Sequence, residues 1–559
     1  MNKFEEAIRK GLKEARIDNI ELEVPPDSSM GDYAFPCFAL SKKFKKSPNE
    51  IAQDLARKIK LSTLIKRIEI KGPYLNFFIN KAKLAQATLE NIYKNKEKYG
   101  SGPEKKDNIL VEYSGPNSNK PLHVGHIRNN VLGMALGNIL KFNGHKTVLA
   151  NLVNDRGVHI CKSMLAYQKW GKNEKPKGKP DHFVGKYYQM FSKKANEKLE
   201  KENQELLNKW EAKDPETIKI WRKMNDWAIK GMKETYKRMG TKFDVWYMES
   251  DFFDKADLVL NLGVKKGLFV KDETGAIVAD LEKHGLPNKT VLRADGTSIY
   301  LTNDLALTPY KYESNDITKA TWVVGSAQNL YFKQLFKILD LLGYKWAKNC
   351  HHFSHGMVYL PEGKMSSREG TVVNADDLID KVVGVSKKEI KRRHKDLSAK
   401  EIDKRAEIIG LAAIKFYMLR IDAHRDTTFD WDKALDFEGE TGTYLLYTYA
   451  RAGSVLRKSK KKASVKVKFD LLEKDVEQKI IDLLEQFPSV VQEAANYKPA
   501  LVSRYLVDLS QAFNEFYHSC QILKEEKDLK EARLLLTDSV KQVLSNGLGL
   551  LGIETIEKM

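Results

Sequence analysis

Apolar residues recur at strand-like and helix-like spacings that divide the chain before any chemistry is considered. Ile109, Leu110 and Val111 with Tyr113 read as a short buried strand. Leu132, Leu136, Ile139 and Leu140 recur at helical spacing until Gly144, which is well placed to end the helix. Thr147 to Val153 is a second apolar run. Strand, polar turn, helix and strand within so short a span predict one half of a doubly wound, nucleotide-binding sheet. Upstream, the pattern predicts a helix from Lys3 to Ala15, a glycine turn at Gly31-Asp32, a helix around Pro48 to Lys60, and strands at Arg67 to Ile70 and Leu75 to Ile79. Lys94 to Lys106, charged and carrying glycine and proline, reads as a linker.

Downstream, the sheet is expected to be interrupted by a long insertion and to resume near Ile299. Trp170 to Lys213, rich in lysine and glutamate, is expected to form surface helices joined by flexible segments. From Phe469 onward, Leu501, Tyr505, Leu509, Ala512 and Phe516 repeat at spacings of three and four, predicting a helix bundle.

At 559 residues the chain is too long for one core. Lys plus Arg number 95 against 75 Asp plus Glu, a formal charge of +20 that suits a polyanionic partner such as RNA. Part of that excess sits in runs such as Arg457 to Lys462, which are equally readable as solvated faces. The four cysteines, Cys37, Cys161, Cys350 and Cys520, are far apart, so neither a zinc knuckle nor a disulfide framework is indicated. The first residues are a charged amphipathic helix rather than a signal peptide, and no window has membrane-spanning length; a cytoplasmic protein is expected.

The turn between the first strand and its helix carries the chemistry. A helix start offers unpaired N–H groups and a positive dipole end to phosphate. Gly125 lets a nucleotide approach the backbone, and His123 and His126, three apart, can face one ligand. By themselves two histidines are more often a satisfied or solvated pair. A second polar segment, Lys364 to Gly370, follows the apolar run Met357 to Leu360 and precedes Asn374 to Val382, which starts like a capped helix.

Pro121 to His126 resembles the HIGH signature of class I aminoacyl-tRNA synthetases. The longer string Val111 to Asn129, with Glu112, Asn117 and Lys120, resembles the arginyl-tRNA synthetases in particular. Lys364 to Arg368 is similar to the KMSKS loop of that class, with Ser367 where the second lysine is expected. Gly31 to Ala34, Gly72 to Phe77, Phe429 to Arg451, Leu506 to Tyr517 and Leu550 to Glu554 extend the resemblance along most of the chain. It implies a multidomain α/β protein. An α+β N-terminal domain over 1–95 would contact the tRNA elbow. A Rossmann-type parallel-sheet catalytic domain would span 105–380, with a helical insertion around 165–290. Junction and stem-contact helices over 381–435 would lead to an all-α anticodon-binding bundle over 436–559.

The implied activity is arginine–tRNA ligation: activation of L-arginine by ATP, supplied with Mg2+ as a substrate complex, then transfer to the 2′-hydroxyl of the terminal adenosine of tRNA(Arg). No structural zinc, no membrane and a monomer are implied. Activation starts from an ionised carboxylate, so positioning and charge stabilisation carry the catalysis. His123 and His126 are assigned to the triphosphate. Lys120, Lys364 and Arg368 are assigned to the departing pyrophosphate, Lys120 and Arg368 sharing the task of the lysine that Ser367 replaces. Gly125, Met357, Val358, Lys364 and Ser366 are expected around ATP.

A guanidinium matches planar carboxylate acceptors. The resemblance accordingly places Glu112, Tyr300 and Asp304 on the arginine side chain, with Asn117 and Gln328 on its α-amino and α-carboxylate groups. Asn76, Arg451 and Tyr517 are expected against tRNA. Asn154 to Gly157 departs from the family string, which leaves Arg156 and His159 between the tRNA acceptor path and the nucleotide site. Other readings are another class I synthetase, such as the cysteinyl enzyme, or a catalytically impaired RNA-binding homologue. The scattered cysteines and paired carboxylates oppose the first, and intact His123, Gly125, His126 and Lys364 oppose the second.

Overall fold

The computed structural model describes residues 3–294, 299–359, 373–430 and 433–559, apart from 435, 437 and 438. Lys364, Ser366, Ser367 and Arg368 lie outside the described residues. Contacts gather the chain into two compact units. The first comprises Met1–Tyr99, Ala452–Gln486 and Gln511–Val543, and the second comprises Gly100–Arg451, Phe487–Ser510 and Leu544–Met559.

In the first unit, helices α1 (Lys3–Glu14), α2 (Pro48–Lys58) and α3 (Lys81–Asn95) accompany strands β1 (Tyr33–Pro36), β2 (Ile65–Lys71) and β3 (Tyr74–Ile79). The strands form an antiparallel sheet in the order β1-β3-β2. Phe4, Ile8 and Leu12, four apart, put one apolar stripe of α1 into the core. The start of α2 is fixed by a reciprocal cap, Ser47 with Glu50, and by Pro48 at its first position. Later segments complete the unit. Lys81 Nζ reaches Asp32 at 2.7 Å and Asp482 at 3.2 Å, and the Tyr99 hydroxyl donates to the Leu484 carbonyl at 2.8 Å. Arg533, fully buried, pairs with Glu477 at 2.7 Å and Glu525 at 2.6 Å.

The second unit holds strands β4 (Asn108–Glu112), β5 (Lys146–Val153), β6 (Val245–Met248), β7 (Phe269–Lys271), β8 (Ile277–Ala279), β9 (Lys289–Leu292), β10 (Lys319–Gly325) and β11 (Cys350–His355). Five of them make a parallel sheet in the order β11-β10-β4-β5-β6. Its crossovers include helices α4 (Val124–Phe142), α5 (Val158–Trp170), α6 (Pro180–Lys194), α7 (Glu197–Glu211), α8 (Pro215–Met239), α9 (Ala256–Lys265), α10 (Tyr300–Ser314) and α11 (Asn329–Leu341). Helices α12 (Ala375–Arg393) and α13 (Ala399–Leu419) follow. Because β4 has the sequence-adjacent β5 on one side and the late β10 on the other, the chain reverses direction of winding there. Ligands of such sheets bind at the carboxyl ends of the strands beside that reversal.

Three expectations need correction. The sheet does not resume near Ile299: Leu301, Leu305 and Leu307 are buried side chains of the helix α10, and the next strand of the parallel sheet begins at Lys319. The insertion is not wholly helical, since β7-β8-β9 form a small antiparallel sheet of their own. The lysine- and glutamate-rich stretch is also packed rather than loosely joined. Leu199, Asn203, Leu206 and Trp210 line one face of α7, and Tyr187 and Phe191 of α6 are buried. Charged residues dominate its composition, yet the few apolar ones share one helical stripe, and the stripe decides burial. No described helix is long and apolar enough to cross a membrane.

Candidate active site

The end of β4 feeds a tightly bonded turn. Ser114 takes a positive φ of 78°, and its N–H donates to Asn129 Oδ1 at 2.6 Å. Asn129 Nδ2 donates in turn to the Val323 carbonyl on β10 at 2.6 Å. One α4 side chain therefore ties together the exits of the two strands that flank the reversal. The turn continues beside β5, where Asn117 pairs with Asn154 in an isolated parallel bridge.

His123 is the N-cap of α4. Its Nδ1 accepts from the Gly125 N–H at 3.1 Å, while His126 Nδ1 accepts from the His123 N–H at 3.1 Å. The two rings lie 3.9 Å apart. Because each Nδ1 is an acceptor, a neutral imidazole carries its proton on Nε2, so each ring keeps one donor for a ligand. Burial, with the nearby Lys120 charge, lowers His123 to about 4; burial and the facing His123 hold His126 well below its usual value. Both are neutral at pH 7 and present N–H groups rather than positive charge. A Cβ on Gly125 would lie 2.9 Å from the His123 ring, so a side chain there would displace the ring that caps the helix. Lys120 is partly buried, which lowers its pKa, and it makes no ion pair among the described residues.

The residues just before α12 are bound to this turn. Val124 N–H donates to the Val373 carbonyl at 3.2 Å and Ala375 N–H to the Leu122 carbonyl at 2.8 Å. Arg128, fully buried on α4, donates to the carbonyls of Met357 at 3.2 Å, Ala423 at 3.1 Å and Arg425 at 2.6 Å. Met357 and Val358 thus follow β11 on a backbone that the histidine helix itself holds. Sequence reading missed Arg128, whose signal is a cation inside the apolar run of α4.

Tyr300 and Asp304 lie one turn apart on α10, with Tyr300 56 % exposed. Asp304 accepts from the Tyr331 hydroxyl. Burial raises Asp304 to about 6, against the lowering effects of Lys311 and that hydrogen bond. Glu112, expected to join Tyr300 and Asp304 on the arginine side chain, has a charge partner within the protein. Its Oε2 pairs with Lys311 Nζ at 2.5 Å, the side chains being 9 % and 1 % exposed. Lys311 stands seven residues after Asp304, two turns along the same helix, a spacing legible in the sequence but not read from it. Gln328 is exposed in the turn after β10.

Around Asn154 to Gly157 the side chains have structural partners. Asp155 accepts from Ser250 N–H at 2.9 Å and Ser250 Oγ at 2.7 Å, and Arg156 Nη2 donates to Glu211 Oε1 at 3.0 Å. The His159 carbonyl accepts from Asn119 Nδ2 at 3.2 Å. Sequence reading also missed a charged knot joining α6, α8 and α12. Lys179 Nζ lies 2.8 Å from both Asp181 and Asp376, and His182 Nε2 lies 2.8 Å from Asp376. Thr235 Oγ1 donates to Asp376 at 3.1 Å. Asp181, His182 and Asp376 have the spacing of metal ligands, but the Lys179 ammonium already fills the place of a cation.

Of the residues expected against tRNA, Asn76 is buried at 5 % exposure in β3, Tyr517 is 38 % exposed, and Arg451 stacks on the Tyr447 ring at 4.6 Å.

Comparison with known proteins decides the family. The family described as tRNA synthetases class I (R), catalytic domain, matches residues 88–431. The arginyl tRNA synthetase N terminal domain matches 2–79 and the DALR anticodon binding domain 445–559. The arginine–tRNA ligase of Treponema denticola is 41 % identical over 97 % of this chain and 95 % of its own length. The chain belongs to the arginyl-tRNA synthetase family. The Bacteroides fragilis arginine–tRNA ligase is 40 % identical over 97 % of this chain and 96 % of its own. The structure of Thermus thermophilus arginyl-tRNA synthetase matches with a TM-score of 0.81 and 26 % identity, covering 99 % of both chains. The synthetase is a class I ligase of arginine and tRNA that uses ATP, with a parallel-sheet catalytic domain between an N-terminal domain and a helical DALR domain.

Proposed function

We propose that the turn from Lys120 to His126 binds the ATP triphosphate and that the pocket of Tyr300 and Asp304 selects the arginine side chain. The reciprocal His123–His126 cap carries this reading: it spends both Nδ1 atoms on the backbone and leaves two neutral Nε2–H donors at a helix start. In the first step an arginine carboxylate oxygen attacks the α-phosphate, and the bond to pyrophosphate breaks to give arginyl-adenylate. His123 and His126 donate to phosphate oxygens as charge moves onto the leaving group, where fixed donors act most strongly. Lys120 supplies positive charge on the same side, shared with Lys364 and Arg368, and Gly125, Met357, Val358 and Ser366 line the nucleotide. Mg2+ enters as part of the ATP complex, with no resident zinc.

Asn117 and Gln328 hold the α-amino and α-carboxylate groups, while Glu112 acts from beneath through Lys311. In the second step the 2′-hydroxyl oxygen of the terminal adenosine bonds to the arginyl carbonyl carbon, loses its proton, and AMP leaves. Asn76, Arg451 and Tyr517 are proposed tRNA contacts; partial exposure of the Tyr517 ring supports base stacking there. The enzyme is proposed to act as a monomer, and free thiols at all four cysteines support a reducing cytoplasm. Lys120→Ala should slow tRNA-dependent ATP–pyrophosphate exchange by about 10-fold or more. An unchanged exchange rate removes Lys120 from the reaction.

A further inference from the structure

The charged knot that joins α6, α8 and α12 lies one residue away from the backbone that carries the histidine turn. Lys179 Nζ donates to Asp181 and Asp376 at 2.8 Å and to Thr235 Oγ1 at 2.7 Å, so its three donors are spent inside the protein. Asp376 Oδ2 accepts from Lys179 and from His182 Nε2, each at 2.8 Å, and its Oδ1 accepts from Thr235 Oγ1 at 3.1 Å. Burial pushes Asp376 up, but the hydrogen bonds from His182 and Lys179 outweigh it and hold the carboxylate at about 2. An ionised carboxylate only accepts, so His182 Nε2 is the donor. One side chain in the first turn of α12 thus gathers donors from two helices of the insertion.

Asp376 follows directly on the residues that bind the turn. Ala375 N–H donates to the Leu122 carbonyl at 2.8 Å, and His123 pairs with Asn374 in an isolated antiparallel bridge. Helix α6 also reaches the turn by itself. A Cβ on Gly185 would lie 2.7 Å from Pro121 Cδ and 3.6 Å from Lys120 Cα, so the helix meets the turn with no side chain between them. Arg238 of α8 adds a second tie to α12, with Nη1 2.5 Å from Asp380, one turn beyond Asp376. The insertion therefore grips Lys120 and Pro121 directly, and Leu122 to Val124 through the start of α12.

We propose that Lys179, His182 and Asp376 are positioning residues for adenylate formation: by fixing the start of α12 against α6, they set the Leu122 to Val124 backbone from which the two histidine rings reach the triphosphate. The proposal rests on the reading that this turn binds ATP. The three side chains act through the turn and touch no substrate. Fixed donors stabilise developing charge only when already in place, and a displacement of about 1 Å costs on the order of 100-fold in rate. Replacing buried charges by apolar groups is often neutral or stabilising, so the geometry that such a knot fixes explains it better than stability does.

The test uses the full chain with tRNA(Arg) and follows ATP–pyrophosphate exchange, with kcat referred to sites counted by calorimetric titration of arginine. Asp376→Asn keeps the shape of the side chain and removes its charge. It should lower kcat per site about 10-fold or more and leave the KM for arginine within about 2-fold of wild type, as expected when contacts made in the transition state are lost. His182→Gln disturbs one of the three bonds to Asp376, should fall between wild type and Asp376→Asn, and serves as the test variant if asparagine prevents folding. An unchanged kcat per site overturns the proposal even if fewer sites are counted or the melting temperature falls, because the knot is then structural only. An arginine KM that rises as much as kcat falls overturns it too. His126→Ala is measured in parallel. If it also leaves exchange unchanged, the ATP reading of the turn is wrong; if it alone lowers kcat, only the positioning role fails.

Discussion

Replacing Lys311 by methionine would keep most of the side-chain volume and delete the ammonium that neutralises Glu112. The pair is 2.5 Å apart with the lysine 1 % exposed, so the carboxylate left behind cannot turn to solvent without repacking. Removing one partner of a buried ion pair costs about 3–5 kcal/mol, chiefly through the stranded charge. At about 2.1 cal/mol/K per residue, a unit of nearly 400 residues melts with an entropy of roughly 0.8 kcal/mol/K, so the transition of the catalytic unit should fall by roughly 4–6 °C. Scanning calorimetry of the full chain reads this, with the relevant transition identified by its shift on adding ATP. Lys311→Met combined with Glu112→Gln should recover most of the loss, because a neutral amide is far cheaper to bury than a carboxylate. Lys311→Met should also raise the KM for arginine at low pH, since Lys311, together with the Tyr331 hydroxyl, opposes the rise that burial imposes on Asp304. If Lys311→Met melts like the wild type, or if the double variant is as unstable as the sum of the single ones, the pair does not secure the pocket.

Arg128→Met should weaken ATP binding about 10-fold or more and lower the melting temperature, because the carbonyls of Met357, Ala423 and Arg425 lose their shared donor. Equal KM for ATP in the variant would show that Met357 is held without it. Gly356→Ala should destabilise the enzyme by about 1–3 kcal/mol, since its Cβ would lie 2.4 Å from the Arg425 backbone; an unchanged melting temperature would contradict that packing. Hydrogen bonding to Asp376 raises His182, so its contribution to stability is complete below pH 6.5 and is lost as pH rises through its higher folded value. Melting curves from pH 6 to 9 should therefore fall more steeply for wild type than for His182→Gln, and parallel curves would refute the linkage.

The histidine turn was legible because its information is local. Proline, glycine and two histidines within six residues specify a strand exit and a helix cap on their own. What the sequence concealed depends on distant partners. Nothing near Glu112 announces that Lys311 will meet it, although the seven-residue step from Asp304 to Lys311 offered a hint. Arg128 looked like an interruption of an apolar helix until its three carbonyl partners, more than two hundred residues away, were in place. The sheet of β7 to β9 escaped notice because strands of three or four residues are too short to show alternation. Ile299 misled for the opposite reason: an apolar run beside a helix cap reads as a strand when length does not arbitrate.

The makeup of the first unit has a consequence for how a ribosome delivers this enzyme. The antiparallel sheet and α1 to α3 emerge first, but Asp482 and Leu484, the partners of Lys81 and Tyr99, follow roughly 400 residues later. At about 5–20 residues per second, the interval is on the order of 20–80 s. During it, Tyr99 has no Leu484 carbonyl to receive its hydroxyl, and the buried Arg533–Glu477 pair does not yet exist. Premature release anywhere within the catalytic domain would leave the amino-terminal sheet without its finishing segments, a state that quality-control proteases and chaperones would meet before any tRNA could.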